Sequence, residues 1–549
     1  MKQYFNIIFL IFFVTACGGP SDSTDTPQAK APGRVHPITN ELLADEQIFT
    51  YVAIDEHTSV DPQIVEDVSG SAIIRDLFEG LYNQDPDGNL IQGVAISHTT
   101  NKDKTIYRFT LRDNAKWSDG KAVTAFDFEY AWKRLANPET ASPYQWFMKV
   151  MNIKNASNVI SGEMPVSELG VKALSDTLLE VRLESSLSYF PLTTTHASTF
   201  PSPQWAIDKH GVNWVKPENI VSNGAYKLTK HVPNETLERE RNEKYWNNAN
   251  TILEKVVIKI VNDENVALTR YFAGEFDKTG VPTGSFLRMQ KQYPNEVYSN
   301  PSLCTYYYNL NMGDNGPEVL KDKRVRQALS YAIDRNIIVK NILQAGQIPA
   351  YTFTPGATAG FTVPEVKIAL MTQAERDLKA AELLKEAGFN RENPLSIEIL
   401  YNTSEGHKKI AIAISQMWKQ KLGVITSMQN QEWKTFLTSR NQGNYEVARG
   451  GWCGDYNEAS TFLDLVNTDS GYNDSKFSNK EVDQLLLDAK TSNNSQLNYT
   501  KIEEIVADEV PLISIYHYTS ASFLKPKLKG WPHKNVEGVW YSKNLYKVK

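Results

Sequence analysis

The residues best able to do chemistry in this 549-residue chain crowd into Val447-Ala448-Arg449-Gly450-Gly451-Trp452-Cys453-Gly454-Asp455-Tyr456-Asn457-Glu458. One cation (Arg449) and one anion (Asp455) stand among two large aromatics (Trp452, Tyr456), a cysteine (Cys453) and the glycines 450, 451 and 454. Opposite charges beside aromatic faces suit a small zwitterionic ligand. They suit equally a tight surface turn closed by its own ion pair. No helix or strand period runs through the stretch, and glycine permits backbone shapes that other residues resist.

Little else marks chemistry. There is no His-Glu-x-x-His, no Gly-x-Ser-x-Gly elbow, no P-loop and no Gly-x-Gly-x-x-Gly fingerprint. The nine histidines are scattered, and His210 and His231 read as surface residues rather than ligands. No carboxylate spacing singles out a glycosidase pair. The net charge of -6, without a Lys/Arg block, argues against a nucleic-acid partner. The expectation is therefore a binding protein with no cofactor and no metal. An exported hydrolase of peptides or sugars is the alternative from another class.

The elements that must position these residues begin with an export signal. Lys2 precedes an apolar run over 5–14 and then Val14-Thr15-Ala16-Cys17, too short to span a bilayer and sized like a signal-peptide core. Small residues leading into Cys17 resemble a lipobox, which implies cleavage before Cys17 and lipidation of its thiol. An ordinary signal peptide cut nearby is the other reading. No later run has the length and apolarity of a membrane helix. Setting Cys17 aside leaves Cys304 and Cys453, an even pair in an oxidising compartment, which favours a disulfide over a metal-ligand role.

Residues 18–33 read as a flexible tether rich in Pro, Ser, Thr and Asp, with ordered structure beginning near Gln47. Strands are expected over 48–52, 106–112 (Tyr107, Phe109 and Leu111 on one face), 179–183, 255–261, 303–310 and 395–400. Helices are expected over 73–81, ending near Gly80, and over 325–333. Two more should follow Thr372, with Glu375 as a capping box, and Ser478, with Glu481. Residues 191–203, with three prolines, read as a boundary loop, and Asn223-Gly224 as a turn. A chain of this length exceeds a single core, and mixed elements without strict alternation indicate α/β or α+β lobes.

Several stretches resemble the oligopeptide-binding proteins of bacterial ABC importers, the family 5 extracellular solute-binding proteins. They include Arg75-Asp76-Leu77-Phe78-Glu79-Gly80-Leu81, Trp117-Ser118-Asp119-Gly120, Thr140-Ala141-Ser142-Pro143-Tyr144, Leu303-Cys304-Thr305-Tyr306-Tyr307-Tyr308, Asn430-Gln431-Glu432-Trp433 and, closest, the 448–458 stretch. The resemblance implies an α/β two-lobed periplasmic-binding-protein fold of the large type, with an extra subdomain and the ligand enclosed between lobes. It places lobe I at 46–80, 204–303 and 522–549, the subdomain at 81–203 and lobe II at 304–521, after a signal segment (1–17) and a tether (18–45).

It also implies roles. Asp455 would pair with the peptide's α-ammonium, and Arg449, Arg440 and His407 would meet the carboxylates of peptides of different length. Glu66, Val68, Tyr144 and the Gly451 and Cys453 backbones would lie beside the peptide main chain. Trp433 and Trp452 would wall side-chain pockets, with Tyr307 also in the ligand-binding set, and Cys304–Cys453 would be the disulfide. The partners implied are short peptides with free termini, an ABC permease, and a membrane reached through a lipid on Cys17. The molecule is expected to be a periplasmic or cell-surface monomer. The chain departs from the family at Gly280-Val281-Pro282, Asn309 and Ser302, which bears on side-chain preference and peptide length. A murein-peptide-binding branch shares the Asp and disulfide elements, so a murein tripeptide is the alternative ligand.

Overall fold

The computed structural model describes residues 34–549 apart from residue 493. The signal segment, Cys17 and the tether over 18–33 lie outside the described residues. Residues 34–45, expected to continue the tether, are instead packed. Leu43 bridges to Val548 and joins Ile252 and Tyr546 in a small apolar cluster, and the His36 ring lies 4.1 Å from that of Tyr546.

The organising element is one 11-stranded mixed sheet. Its main path runs through strands 425–431, 396–402, 447–453, 297–310, 512–524, 278–280, 48–53, 255–260, 236–241 and 226–232. One end is built from the 396–453 segment and the other from 48–53 and 226–280, so two α/β lobes share the sheet. The antiparallel strands Val297–Leu310 and Leu512–Leu524 join them. With 14 and 13 residues, each is about 45 Å long at a rise of ~3.3 Å per residue, enough to reach from one lobe into the other. Their ladder is interrupted between Pro301 and Thr305, where proline has no N–H to donate. The boundaries expected at 303/304 and 521/522 fall inside these two strands. A separate antiparallel sheet of Ala95–Thr100, Ile106–Leu111, Leu178–Arg182 and Val171–Ser175 lies within the segment expected as the extra subdomain.

Strong local signals are realised. Tyr107, Phe109 and Leu111 are buried while Arg108 and Thr110 are exposed. Thr372 and Glu375 form a capping box on Gln373–Glu386. Other elements differ for tertiary reasons. The first helix starts earlier, as Val68–Leu77 with Asp67 accepting from Gly70 N–H, and ends before Gly80. The cap expected at Ser478 is Asn479. Asn223-Gly224 is no hairpin turn: a β-carbon at Gly224 would stand 2.5 Å from the Asp76 carbonyl oxygen, so the pair is a close backbone approach. Residues 191–203 are largely buried, because Thr193, Thr194, Thr195 and Thr199 return their hydroxyls to nearby carbonyls.

The stretch without a sequence period is regular in three dimensions. Val447–Cys453 is a strand at the heart of the sheet, antiparallel to Val297–Leu310, with Tyr307 opposite Gly450 and Cys304 opposite Cys453. A β-carbon at Gly450 would meet the Tyr307 ring at 2.3 Å. The glycine is there because a tyrosine lies across the strand, and not to make a turn.

Candidate functional site

The charged ends of the 447–455 stretch do not pair with one another. Asp455 stands just beyond the strand, its N–H donating to Thr461 Oγ1 at 2.9 Å. Its side chain is only 8% exposed, and Oδ1 lies 3.3 Å from the Tyr144 hydroxyl, which donates to it, and 3.4 Å from His196 Nε2. Oδ2 has no hydrogen-bond partner among the described residues. Burial pushes the carboxyl up to about 8, against the Tyr144 hydrogen bond and the Arg75 charge. His196 is no counter-ion: burial, and then Arg75, push its imidazole down to about 3. The site therefore holds a desolvated carboxyl group that is mostly protonated near pH 7 and would ionise readily once a cation is bonded to it.

Arg449 sits at the other end of the strand. Its Nη2 donates to the Tyr518 hydroxyl at 2.8 Å and its guanidinium lies 5.1 Å over the Tyr306 ring, while Nε has no partner among the described residues. His407 packs 5.5 Å from Tyr306. Burial and the Arg449 charge hold it well below the ordinary imidazole range, so near neutral pH it offers a hydrogen bond and no charge. Arg440 is already engaged, with Nε 3.0 Å from Asp474 Oδ2 in a buried ion pair. Of the three groups expected to meet a carboxylate, Arg449 has the least committed charge.

Glu66 accepts from the Tyr472 hydroxyl at 3.2 Å and Asn441 Nδ2 at 3.3 Å, joining the loop before the first helix to two segments much further along the chain. Burial raises its carboxyl pKa, with Arg440 opposing. Val68, the first residue of its helix, is exposed. Gly451 and Cys453 lie on the face of the strand that carries Arg449, opposite Tyr306 and Cys304. A disulfide joins Cys304 and Cys453. Tyr307 and Trp452 take the other face. Tyr307 packs edge-on to Phe353 at 5.0 Å, and Trp452 lies 6.2 Å from Trp146 and 5.3 Å from Tyr472. Trp433 stacks on Phe436 at 5.9 Å.

Besides Tyr144, several residues around the site had no role assigned from the sequence. Tyr144 and Trp146, in the segment expected as the extra subdomain, meet Tyr472 at 5.4 and 5.5 Å, and Tyr189 stacks on Tyr456 at 5.2 Å. The 144–189 segment thus packs directly against the 456–472 segment. His196 comes from the segment that reads as a boundary loop. Asp55 feels the Arg449 charge too: burial and the Glu432 charge push it up to about 6 against the pull of Arg449. Arg75 stood in a quoted motif, but its position near Asp455 is purely tertiary. A cavity of about 480 Å³ lies elsewhere, lined by Tyr189, Phe361, Glu458 and Tyr499 and by none of the charged site residues.

Two α/β lobes on a shared sheet, with opposite charges kept apart along one stretch of it, are the architecture of a solute-binding protein. Residues 89–474 match the family described as "Bacterial extracellular solute-binding proteins, family 5 Middle", and the chain belongs to that family. It is 43% identical over 512 residues to the periplasmic murein peptide-binding protein MppA of Escherichia coli (strain K12), covering 92% of this chain and 94% of that one. It is 42% identical, with the same coverage, to the periplasmic oligopeptide-binding protein OppA of Salmonella typhimurium. The solved structure of the Escherichia coli murein tripeptide binding protein MppA superposes with a TM-score of 0.90 over 92% of this chain and 99% of that chain. Haemophilus influenzae OppA in complex with RPPGFSPFR gives 0.89 at 37% identity, over 92% of this chain and 100% of that one. An unliganded open form of MppA gives only 0.67 over 92% and 98%, so the lobes here are not arranged as in that open form.

Proposed function

We propose that this protein is an extracytoplasmic receptor for short peptides, held by their main chain and free termini, which it delivers to an ABC permease. The observation that carries the proposal is the buried Asp455 carboxylate with an unpartnered oxygen and a neutral histidine beside it. A peptide α-ammonium supplies the missing charge. Arg449 lies six residues back along a strand, at most ~20 Å away at ~3.3 Å per residue. An extended peptide of up to about six residues covers that upper limit at ~3.3–3.6 Å per residue, so its carboxylate can reach Arg449. Main-chain bonding to an extended peptide gives affinity that no particular side chain dictates. Closure about the two joining strands encloses the ligand.

A murein tripeptide is the second reading, supported by the 43% identity to MppA. In either case the protein works as a monomer, outside the cytoplasm and tethered through a lipid on Cys17. Support for the tether is the Val14-Thr15-Ala16-Cys17 sequence, and Cys17→Ser would move the protein from the membrane to the soluble fraction. Native mass spectrometry before and after incubation with mixed tri- to pentapeptides tests the ligand. Bound, uncleaved peptides of many sequences support the general receptor, and binding confined to a murein tripeptide supports the second reading. Turnover of the added peptide refutes both and points to a hydrolase.

A further inference from the structure

Away from the charged ends of the cleft, three metal-ligand side chains converge on lobe I. Glu56 and His57 follow the Ile48–Ala53 strand, and His231 lies near the end of Tyr226–Val232. His57 Nδ1 and His231 Nε2 each lie 2.9 Å from one oxygen, Glu56 Oε1, and the three donor atoms fall within 4.8 Å of one another. The imidazole rings are 5.0 Å apart. The other Glu56 oxygen is fixed by the Asn234 N–H at 2.7 Å, in the turn between the 226–232 and 236–241 strands. Glu56 and His57 are buried, while His231 keeps 26% of its side chain exposed. His231 is thus not the free surface residue its sequence context suggests.

We propose that Glu56, His57 and His231 form a binding site for one zinc ion, with its fourth position open to solvent on the His231 side. Two imidazole nitrogens and one carboxylate oxygen suit a borderline divalent ion, whereas calcium and magnesium favour oxygen ligands alone. Zinc bonds of ~2.0–2.1 Å in tetrahedral geometry set donors roughly 3.4 Å apart. Each 2.9 Å contact therefore has to open by only about half an ångström. To ligate, each imidazole turns a ring-nitrogen lone pair to the metal, and a proton on that nitrogen moves to the other ring nitrogen or to solvent. Glu56 presents one carboxylate oxygen, Oε1, to both imidazoles. The Asn234 N–H fixes its orientation as an outer partner.

The ion would clip the 226–241 hairpin to the loop that leaves the 48–53 strand. That loop forms part of the lobe I wall: the Thr58 N–H donates to Asp67 Oδ2 at 2.6 Å, and the Glu66 N–H donates to Thr58 Oγ1 at 3.3 Å. The zinc site stands or falls independently of the peptide reading, because it uses none of the terminus-binding groups.

The test is calorimetric titration of the tag-free, chelator-stripped protein with zinc chloride alone, and with cobalt(II) followed by visible absorption. One zinc per chain and the intense cobalt bands of a four-coordinate site are expected. His57→Asn with His231→Gln sets amide N–H donors where Nδ1 and Nε2 stand, so the bonds to Glu56 and the fold survive. That double variant should lose zinc affinity by more than the roughly 10–100-fold that removing an outer partner costs, with an unchanged thermal midpoint in chelator. A wild-type protein that takes up no zinc overturns the proposal and leaves a hydrogen-bond network only. A double variant with full zinc affinity overturns it too, by placing the ion elsewhere.

Discussion

Replacing Asp455 by asparagine keeps the shape of the side chain and removes its charge. The carboxyl moves from an ordinary 3.8 to about 8 on burial, which corresponds to roughly 5–6 kcal/mol against ionisation. At pH 7 the unliganded site is about nine-tenths protonated, and ionising it costs only ~1.4 kcal/mol. A peptide ammonium then meets a carboxylate in a dry site, and removing one partner of such a pair costs about 2–5 kcal/mol, or roughly 30- to 4,000-fold in Kd. Binding of a free-amine tetrapeptide, measured by calorimetry, should strengthen nearly tenfold between pH 6 and pH 7 as Asp455 ionises more readily. It should level near pH 8 and weaken above, where the peptide α-amine (pKa ~7.7–8.0) loses its proton. Runs in buffers of different ionisation enthalpy should show close to one proton released at pH 7. In Asp455→Asn the rise and the proton release vanish, and free-amine peptides lose far more affinity than N-acetylated ones. Equal losses for both peptides, or a pH rise that survives the substitution, would refute the ammonium pairing. A raised folded carboxyl pKa gives stability that is full below about 4 and lost as pH rises through about 8. The unliganded protein should lose stability across that window, and a bound peptide should flatten the loss.

At the other terminus, Arg449→Met should weaken peptides with a free carboxylate and spare C-terminal amides, as read by competition binding; equal weakening would remove the pairing. The Cys304–Cys453 bond closes a loop of 149 residues, worth at most ~5 kcal/mol by the chain-entropy argument, so the double serine variant should show a lower denaturant midpoint. Gly450→Ala drives a methyl into the Tyr307 ring and should cost about 1–3 kcal/mol in urea unfolding, with Tyr307→Leu restoring part of it. Tyr472→Phe removes a hydroxyl bond between Glu66 and a distant segment of the chain, worth ~0.5–1.5 kcal/mol. It should raise the radius of gyration of the unliganded protein in X-ray scattering, whereas a Trp433 variant, away from that bond, should not.

What could be read from the chain alone was whatever local patterning or a quoted motif encodes. The alternation of Tyr107, Phe109 and Leu111, and the Thr372/Glu375 cap, are short-range physics: a side chain's face or a backbone N–H is decided by neighbours within a turn. The family motifs carried the two-lobed fold and the pairing of Cys304 with Cys453. Tertiary structure decided the rest. Gly450 reads as a breaker until Tyr307 is found across the strand, since what a missing β-carbon makes room for is set by a residue 143 positions away. Arg440 looks as free as Arg449 until Asp474 neutralises it. His196 sits in a Thr-rich stretch that looks like a solvated loop and is buried because its hydroxyls satisfy the backbone locally. The charge state of Asp455 depends on desolvation by segments hundreds of residues apart, and no spacing in the sequence records how much water a fold excludes.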